Sequence, residues 1–269
     1  MCGICGFVVD NAVGFGNAVQ EGKRPEILKS LTSSLLQYSQ VRGTHATGVA
    51  AVTRELRLGM YKKATLADYF VEDDTFGEFA NEFLTNKTRI VIGHTRFETK
   101  GTHRNNFNNH PIASGHVVGV HNGVIGNDEQ LWVRKGVRED RRGLVDSEII
   151  FHLLNVYSKR TNYSIEDAIR KVSKHVKGNY ACATIHMMKP KYLWLFCKDN
   201  PIYIYSAGDN LGLKIFASNE MFIERSMADI NLGIIPKRLT KVPNGTGLRI
   251  DANSGKIKKI DLTVSGQDT

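Results

Sequence analysis

The order of its predicted elements constrains this 269-residue chain more than any single residue does. Residues 3–9 read as a buried strand, and Pro25 then opens an amphipathic helix with Ile27, Leu28, Leu31 and Leu35 on one face. Proline suits that first helical position because its missing N–H would have no partner there. Gly48 to Thr53 and Leu56 to Lys62 read as short strands. Asp74 to Thr85 reads as a helix, with Phe76, Phe79, Ala80 and Phe83 at helical spacing. Arg89 to Thr95 and His116 to His121 are strand-like, and each ends in a polar cluster. Two helices follow, Asp146 to Tyr157 and one opening at Ser164, where Asp167 stands three residues beyond a candidate N-cap. The last third is mostly strand: Asn179–Met187, Tyr192–Lys198, Ile202–Ser206, Lys214–Ala217 and Leu248–Asp251. Asn244-Gly245 and Ser254-Gly255 are turn signals. Strands and helices therefore do not alternate as βαβ units, which argues for an α+β fold of two sheets packed face to face with helices outside.

Composition narrows the class. A hydrophobic content of 41% with 23% charged residues can bury a sizeable core. No apolar run approaches the ~20 residues of a membrane span, and the N-terminus lacks a basic and then apolar secretory pattern. Four cysteines, at positions 2, 5, 182 and 197, do not form a disulfide framework in a chain this long, so a reducing cytoplasm is expected. No repeat or linker divides residues 1–269, and one domain is expected. The net charge of +9 permits an acidic partner, but the densest basic stretch, Arg134, Lys135, Arg138, Arg141 and Arg142, carries only Trp132 for base stacking. It reads first as a solvated loop, and binding of nucleic acid is the weaker reading.

Cys2 follows the initiator methionine directly. Trimming Met1 would leave one residue carrying a thiol and a free α-amine. The amine titrates near ~7.7–8.0 and the thiol near ~8.5, so proton exchange between them costs little. A nucleophile paired with an N-terminal amine is a known activation scheme. Taken alone, Cys2 reads first as a structural residue opening a buried strand, because most cysteines are structural.

Four polar stretches stand where strands end. They are Arg42-Gly43-Thr44-His45-Ala46-Thr47-Gly48, Gly93-His94-Thr95-Arg96-Phe97-Glu98-Thr99-Lys100-Gly101, His121-Asn122-Gly123 and Asp146-Ser147-Glu148. With Met1-Cys2-Gly3-Ile4, their order and spacing resemble the class II glutamine amidotransferases, most of all the glutaminase domain of glucosamine-fructose-6-phosphate aminotransferase. The likeness continues at Asn109-His110-Pro111, Gly178-Asn179-Tyr180-Ala181 and Ala217-Ser218-Asn219-Glu220, and it covers nearly the whole chain. It implies a four-layer α/β/β/α sandwich and an N-terminal-nucleophile amidohydrolase that converts L-glutamine to glutamate and ammonia without a cofactor.

The resemblance implies a role for each residue. Cys2 is the nucleophile that forms a γ-glutamyl thioester, and Asn122 (side-chain amide) with Gly123 (backbone N–H) forms the oxyanion hole. Arg96 offers a planar donor fork for the substrate carboxylate, aided by Thr99, and Asp146 an anion for the α-ammonium. Phe97 stands where relatives carry tryptophan and joins the substrate-binding set, while Arg42 supports the N-terminal site. Each has a plain structural alternative: a surface ion pair for Arg96, a helix cap for Asp146, a hairpin turn for Asn122-Gly123.

This chain departs from the pattern at His45, Glu98, Lys100 and Cys5. Cys2-x-x-Cys5 invites a zinc or redox reading, but a structural zinc site needs four ligands and no second close pair exists in the sequence. His94 and His121 read as stabilising the strand ends. The chain ends soon after the expected glutaminase domain, so a separate ammonia-acceptor enzyme is the expected partner. Two rivals stay open: hydrolysis of another γ-glutamyl amide, and a catalytically degenerate basic scaffold.

Overall fold

The computed structural model describes residues 1–10, 21–134, 140–207, 212–230 and 239–263. Two sheets carry the fold. The first holds β1 (Gly3–Val9), β2 (Ala46–Thr53), β3 (Leu58–Lys63), β4 (Thr88–Arg96), β9 (Tyr203–Ala207), β10 (Leu213–Ala217) and β11 (Leu239–Lys241). Its spatial order is β11-β9-β10-β1-β4-β2-β3. The second holds β5 (Ile112–Ser114), β6 (Val117–Ile125), β7 (Gly178–His186), β8 (Tyr192–Lys198), β12 (Thr246–Asp251) and β13 (Ile257–Asp261), in the order β13-β12-β8-β7-β6-β5. Neighbours within both sheets run antiparallel.

Strand alternation sorts the side chains into layers. Ile4 and Val8 of β1 face the second sheet and join a core with Ile90, Ile92, Val118, Val120 and Leu195. Cys5, Phe7 and Val9 face the other way, against α1 (Arg24–Ser39) and α3 (Asp74–Phe83). Beyond the second sheet, Trp132 of α4 (Asp128–Arg134), Phe151 of α5 (Glu148–Arg160) and Ile169 of α6 (Ile165–His175) close a third core. Two further helices, α2 (Ala67–Val71) and α7 (Glu220–Asp229), complete the first helical layer. The arrangement is the α/β/β/α sandwich of two antiparallel sheets that the sequence predicts. Among the described residues no helix is long and apolar enough to cross a membrane.

Two boundaries move in ways that matter for the site, and one cap differs from its expected form. β6 does not stop at His121 but runs on through Asn122 and Gly123 to Ile125, paired with β7 throughout, so Asn122-Gly123 is strand and not a hairpin turn. The helix expected from Asp146 begins two residues later, with Ser147 at the N-cap position. Ser164 does cap α6 by position, but its hydroxyl donates to the Asp167 carboxylate rather than accepting from the backbone. Residues 135–139 of the basic stretch lie outside the described residues. Beside them, Arg141 is paired with Glu129 and sits over Trp132.

Candidate active site

β1 occupies the middle of the seven-stranded sheet, between β10 and β4, which pins the start of the chain from both sides. The Ile4 N–H donates to the Ser218 hydroxyl at 3.3 Å, and the Ser218 N–H donates to the Ile4 carbonyl at 2.9 Å. Arg42 completes the brace, with Nη1 donating to the Ser218 carbonyl at 3.2 Å and Nη2 3.4 Å from the Met1 sulfur. Half-buried Cys2 emerges from this frame. Burial pushes its thiol pKa up, against the pull of the Phe97 N–H, the α-ammonium and Arg96, while Asp146 adds to the rise. The resting group is therefore a thiol in need of a base.

Arg96 ends β4 and is buried, so it is no surface ion-pair partner. Its Nη1 donates to Asn109 Oδ1 at 2.9 Å, and Nη2 donates to the carbonyls of Lys100 and Gly101. Three of its five N–H groups thus hold the loop after β4 in place. Burial lowers its pKa, with the charges of Cys2, Glu98 and Asp146 working in the opposite sense. Asn109, part of the Asn109-His110-Pro111 motif, is itself fixed by donation from Nδ2 to the His103 carbonyl at 2.7 Å.

Phe97 and Thr99 lie exposed on that loop. The residues that depart from the family pattern are what clip it down. His45 Nδ1 accepts from the Glu98 N–H at 2.8 Å, and its ring stacks on His103 at 5.3 Å and lies 5.0 Å from Phe97. The Glu98 carboxylate accepts from the His103 N–H at 2.8 Å and pairs with its ring. Lys100 bridges to Asp128 and Glu129 of α4. Cys5 is not part of the cluster. It is sealed in the first helical-layer core, its thiol pushed up to about 12 by burial.

The second sheet supplies the facing wall. Asn122 is fully buried, yet neither its Oδ1 nor its Nδ2 has a partner. Its backbone carbonyl accepts from Asn200 Nδ2 at 3.0 Å, and Asn200 also donates to Asn179 Oδ1 at 3.0 Å. Gly123 has φ +149°, and a Cβ there would stand 2.1 Å from the Asn179 carbonyl oxygen, so the backbone approach requires glycine. Asp146 accepts from the Ile125 N–H at 2.7 Å and so closes the end of β6 rather than capping α5. Asp146 also lies near enough to Cys2, Arg96 and His121 for its charge to act on all three. Between the sheets, His94 Nε2 lies 2.9 Å from the His121 carbonyl, a contact that ties β4 to β6.

Cys2, Arg42, Arg96, Phe97 and Asp146 are thus linked by contact or charge, while Asn122 and Gly123 stand on β6 beside the contact that ties it to β4, and Thr99 has no such link among the described residues. Asn200, Ser218, His103 and Asn109 join them as supports. Of these only Ser218 and Asn109 lay within quoted motifs, and nothing in the local pattern of Asn200 or His103 marks them. Among the described residues no group of three or more His, Cys, Asp or Glu side chains is placed to hold a metal.

The fold is that of the class II glutamine amidotransferases, with the cysteine at the N-terminus of a central strand. No family model matches the chain. Among relatives, the glutamine–fructose-6-phosphate aminotransferase (isomerizing) of Acinetobacter baylyi is 30% identical over 233 residues, which is 82% of this chain and 32% of that protein. The chain spans about a third of the length of the curated relatives it matches. Among solved structures, the glutamine phosphoribosylpyrophosphate amidotransferase of B. subtilis superposes with a TM-score of 0.64 at 22% identity, over 97% of this chain and 49% of that one. The glutamine aminotransferase class-II domain protein of Silicibacter pomeroyi gives 0.53 at 17% identity, over 80% and 91%.

Proposed function

We propose that this chain hydrolyses L-glutamine to glutamate and ammonia, and that removal of Met1 makes Cys2 the nucleophile. The Cys2 α-amine takes the thiol proton as sulfur attacks the carboxamide carbon. Asn122 Nδ2 and the Gly123 N–H hold the oxyanion. As the C–N bond breaks, that proton passes to the departing ammonia, leaving a γ-glutamyl thioester. Water, deprotonated by the same amine, then releases glutamate and the thiol. Arg96 and Thr99 receive the substrate carboxylate, Asp146 its α-ammonium, Phe97 covers the site, and Arg42 steadies the N-terminus. No cofactor enters the reaction.

One observation supports this reading above the others. A buried side-chain amide without partners is costly, about 1–3 kcal/mol per orphaned group, and Asn122 carries two such atoms. An oxyanion hole accounts for the unpartnered Nδ2, because its donor must be unpaired until charge develops. Release of free ammonia would waste glutamine, so the reading includes a separate acceptor enzyme. The likeness to the glutaminase part of the fructose-6-phosphate aminotransferases is a proposal about the reaction's first half only.

A glutamine-mimicking diazoketone tests the reading. It should alkylate the protein once, at Cys2, with glutamine protecting. Attachment at Cys5, or no attachment in protein shown by mass to lack Met1, overturns the assignment.

A further inference from the structure

At the opposite end of β4 from Arg96 lies a second concave site that the reaction does not use. The β2–β4 register pairs Thr53 with Thr88 but Val52 with Ile90, so Arg89 is the extra residue of a β-bulge. Bulges turn a side chain away from its regular direction and recur beside functional sites. Arg89 here forms part of a pocket of about 430 Å³ with Leu56 from the β2–β3 turn, Met188 to Lys191 from the β7–β8 turn, and Tyr192. That volume falls within the range typical of small-molecule sites, about 300–1,000 Å³.

The charge balance of the pocket is one-sided. Arg89 is only 7% exposed and its Nε has no partner; the neighbouring Arg54 Nε is likewise buried and unpartnered. The two guanidiniums are close enough to repel, and Asp251 is the carboxylate whose charge reaches Arg89, without a hydrogen bond between them. Lys189 and Lys191 also line it, Lys191 with its Nζ 5.0 Å from the centre of the Tyr192 ring. Arg249, which covers Tyr192 at 4.7 Å, is neutralised by Glu166. Guanidinium forks match the oxygens of phosphate, and lysines serve as point charges around them. A guanidinium at this depth is reached by a terminal phosphate, which projects from its molecule, and not by a diester flanked on both sides by polymer.

We propose that this pocket binds the terminal phosphate of a small phosphate-bearing molecule, with Arg89 as its innermost donor. Calorimetric titration of the full chain with pyrophosphate and with AMP, against sodium chloride of equal ionic strength, reads it directly. Saturable binding at one site is expected, weakened about tenfold or more by Arg89→Gln and also by the exposed-turn double variant Lys189→Ala/Lys191→Ala. Heats no different from chloride, or affinities unchanged in the lysine double variant, overturn the proposal. So does competition against pyrophosphate by an oligonucleotide without terminal phosphates, which would assign the site to nucleic-acid backbone. Diazoketone labelling of Cys2 is a separate readout, so either proposal can fail alone.

Discussion

The Cys2 sulfur lies 3.3 Å from the Phe97 backbone nitrogen and 3.5 Å from its carbonyl oxygen. The first residue after Met1 and the first residue after β4 therefore meet at one atom. The N–H favours a thiolate and the carbonyl accepts the proton of a thiol, so both ionisation states find a partner on the same residue.

That shared contact predicts a clean separation of chemistry from folding. Cys2→Ala should reduce glutaminase turnover to the background rate while the melting temperature stays within a few degrees, because Cys2 is half-buried and outside the three cores. Steady-state ammonia release and a thermal melt on the same preparation check it. A fall in stability large enough to unfold the variant would make Cys2 a structural residue.

Asn122 should show the opposite signs for activity and stability. Removing one oxyanion donor costs about 2.7–4 kcal/mol of transition-state stabilisation, so Asn122→Ala should lower kcat roughly 10²–10³-fold with little change in KM. Its two unpartnered polar atoms make the native side chain a burden, so the same variant should melt no lower than the parent. Kinetics set beside chemical denaturation decide the matter.

Loop 97–103 should depend on the clips at Glu98 and Lys100 more than the whole fold does. Glu98→Ala removes both bonds to His103, and Lys100→Ala releases the loop from Asp128 and Glu129. Surface pairs of this kind contribute ~0–1 kcal/mol to global stability. Hydrogen exchange should therefore quicken in residues 97–103 alone, and KM for glutamine should rise several-fold while kcat changes less.

Acid should destabilise the protein well above the carboxylate range. Burial drives the His94 pKa down to about 3, His110 and His121 downward, and His186 to about 4. Unfolded histidine titrates near ~6.5, so below that pH the unfolded chain binds protons that the folded one refuses. Stability is thus full above ~6.5 and falls progressively toward pH 4. Urea midpoints between pH 7 and 4.5 should decline, and His186→Gln should flatten the slope by up to ~1.4 kcal/mol per pH unit.

Gly123→Ala tests the close approach of β6 and β7. A Cβ 2.1 Å from the Asn179 carbonyl oxygen, at a positive φ, forces the strands apart at the position proposed for the oxyanion. The cost should be at least about 1–3 kcal/mol, with activity lost. An alanine variant of unchanged melting temperature would refute the geometry.

Where chemistry is local, the sequence is explicit. β1 and β8 are continuous apolar runs and appear with the boundaries expected of them. Asn122-Gly123 misleads because the pair is the commonest two-residue hairpin signal, and only cross-strand pairing with Ala181 and Tyr180 overrides it. β13 escapes because Lys258 and Lys259 face solvent at a sheet edge and leave no alternating pattern. The pairing of Glu98 with His103 joins two loop residues without any period, and the bridge from Asn200 to Asn122 spans 78 positions. Contacts of that kind exist only once the sheets have met.

β1 cannot be completed by its own end of the polypeptide. Its two neighbours in the sheet come from residues 88–96 and 213–217, so the second arrives only after residue 213 has left the ribosome. Long-range pairing of this sort is slow to form and is made last. The Cys2 sulfur consequently gains its setting only once both distant segments have docked, and the amide cleavage proposed for it waits on a sheet assembled from well beyond the first strand.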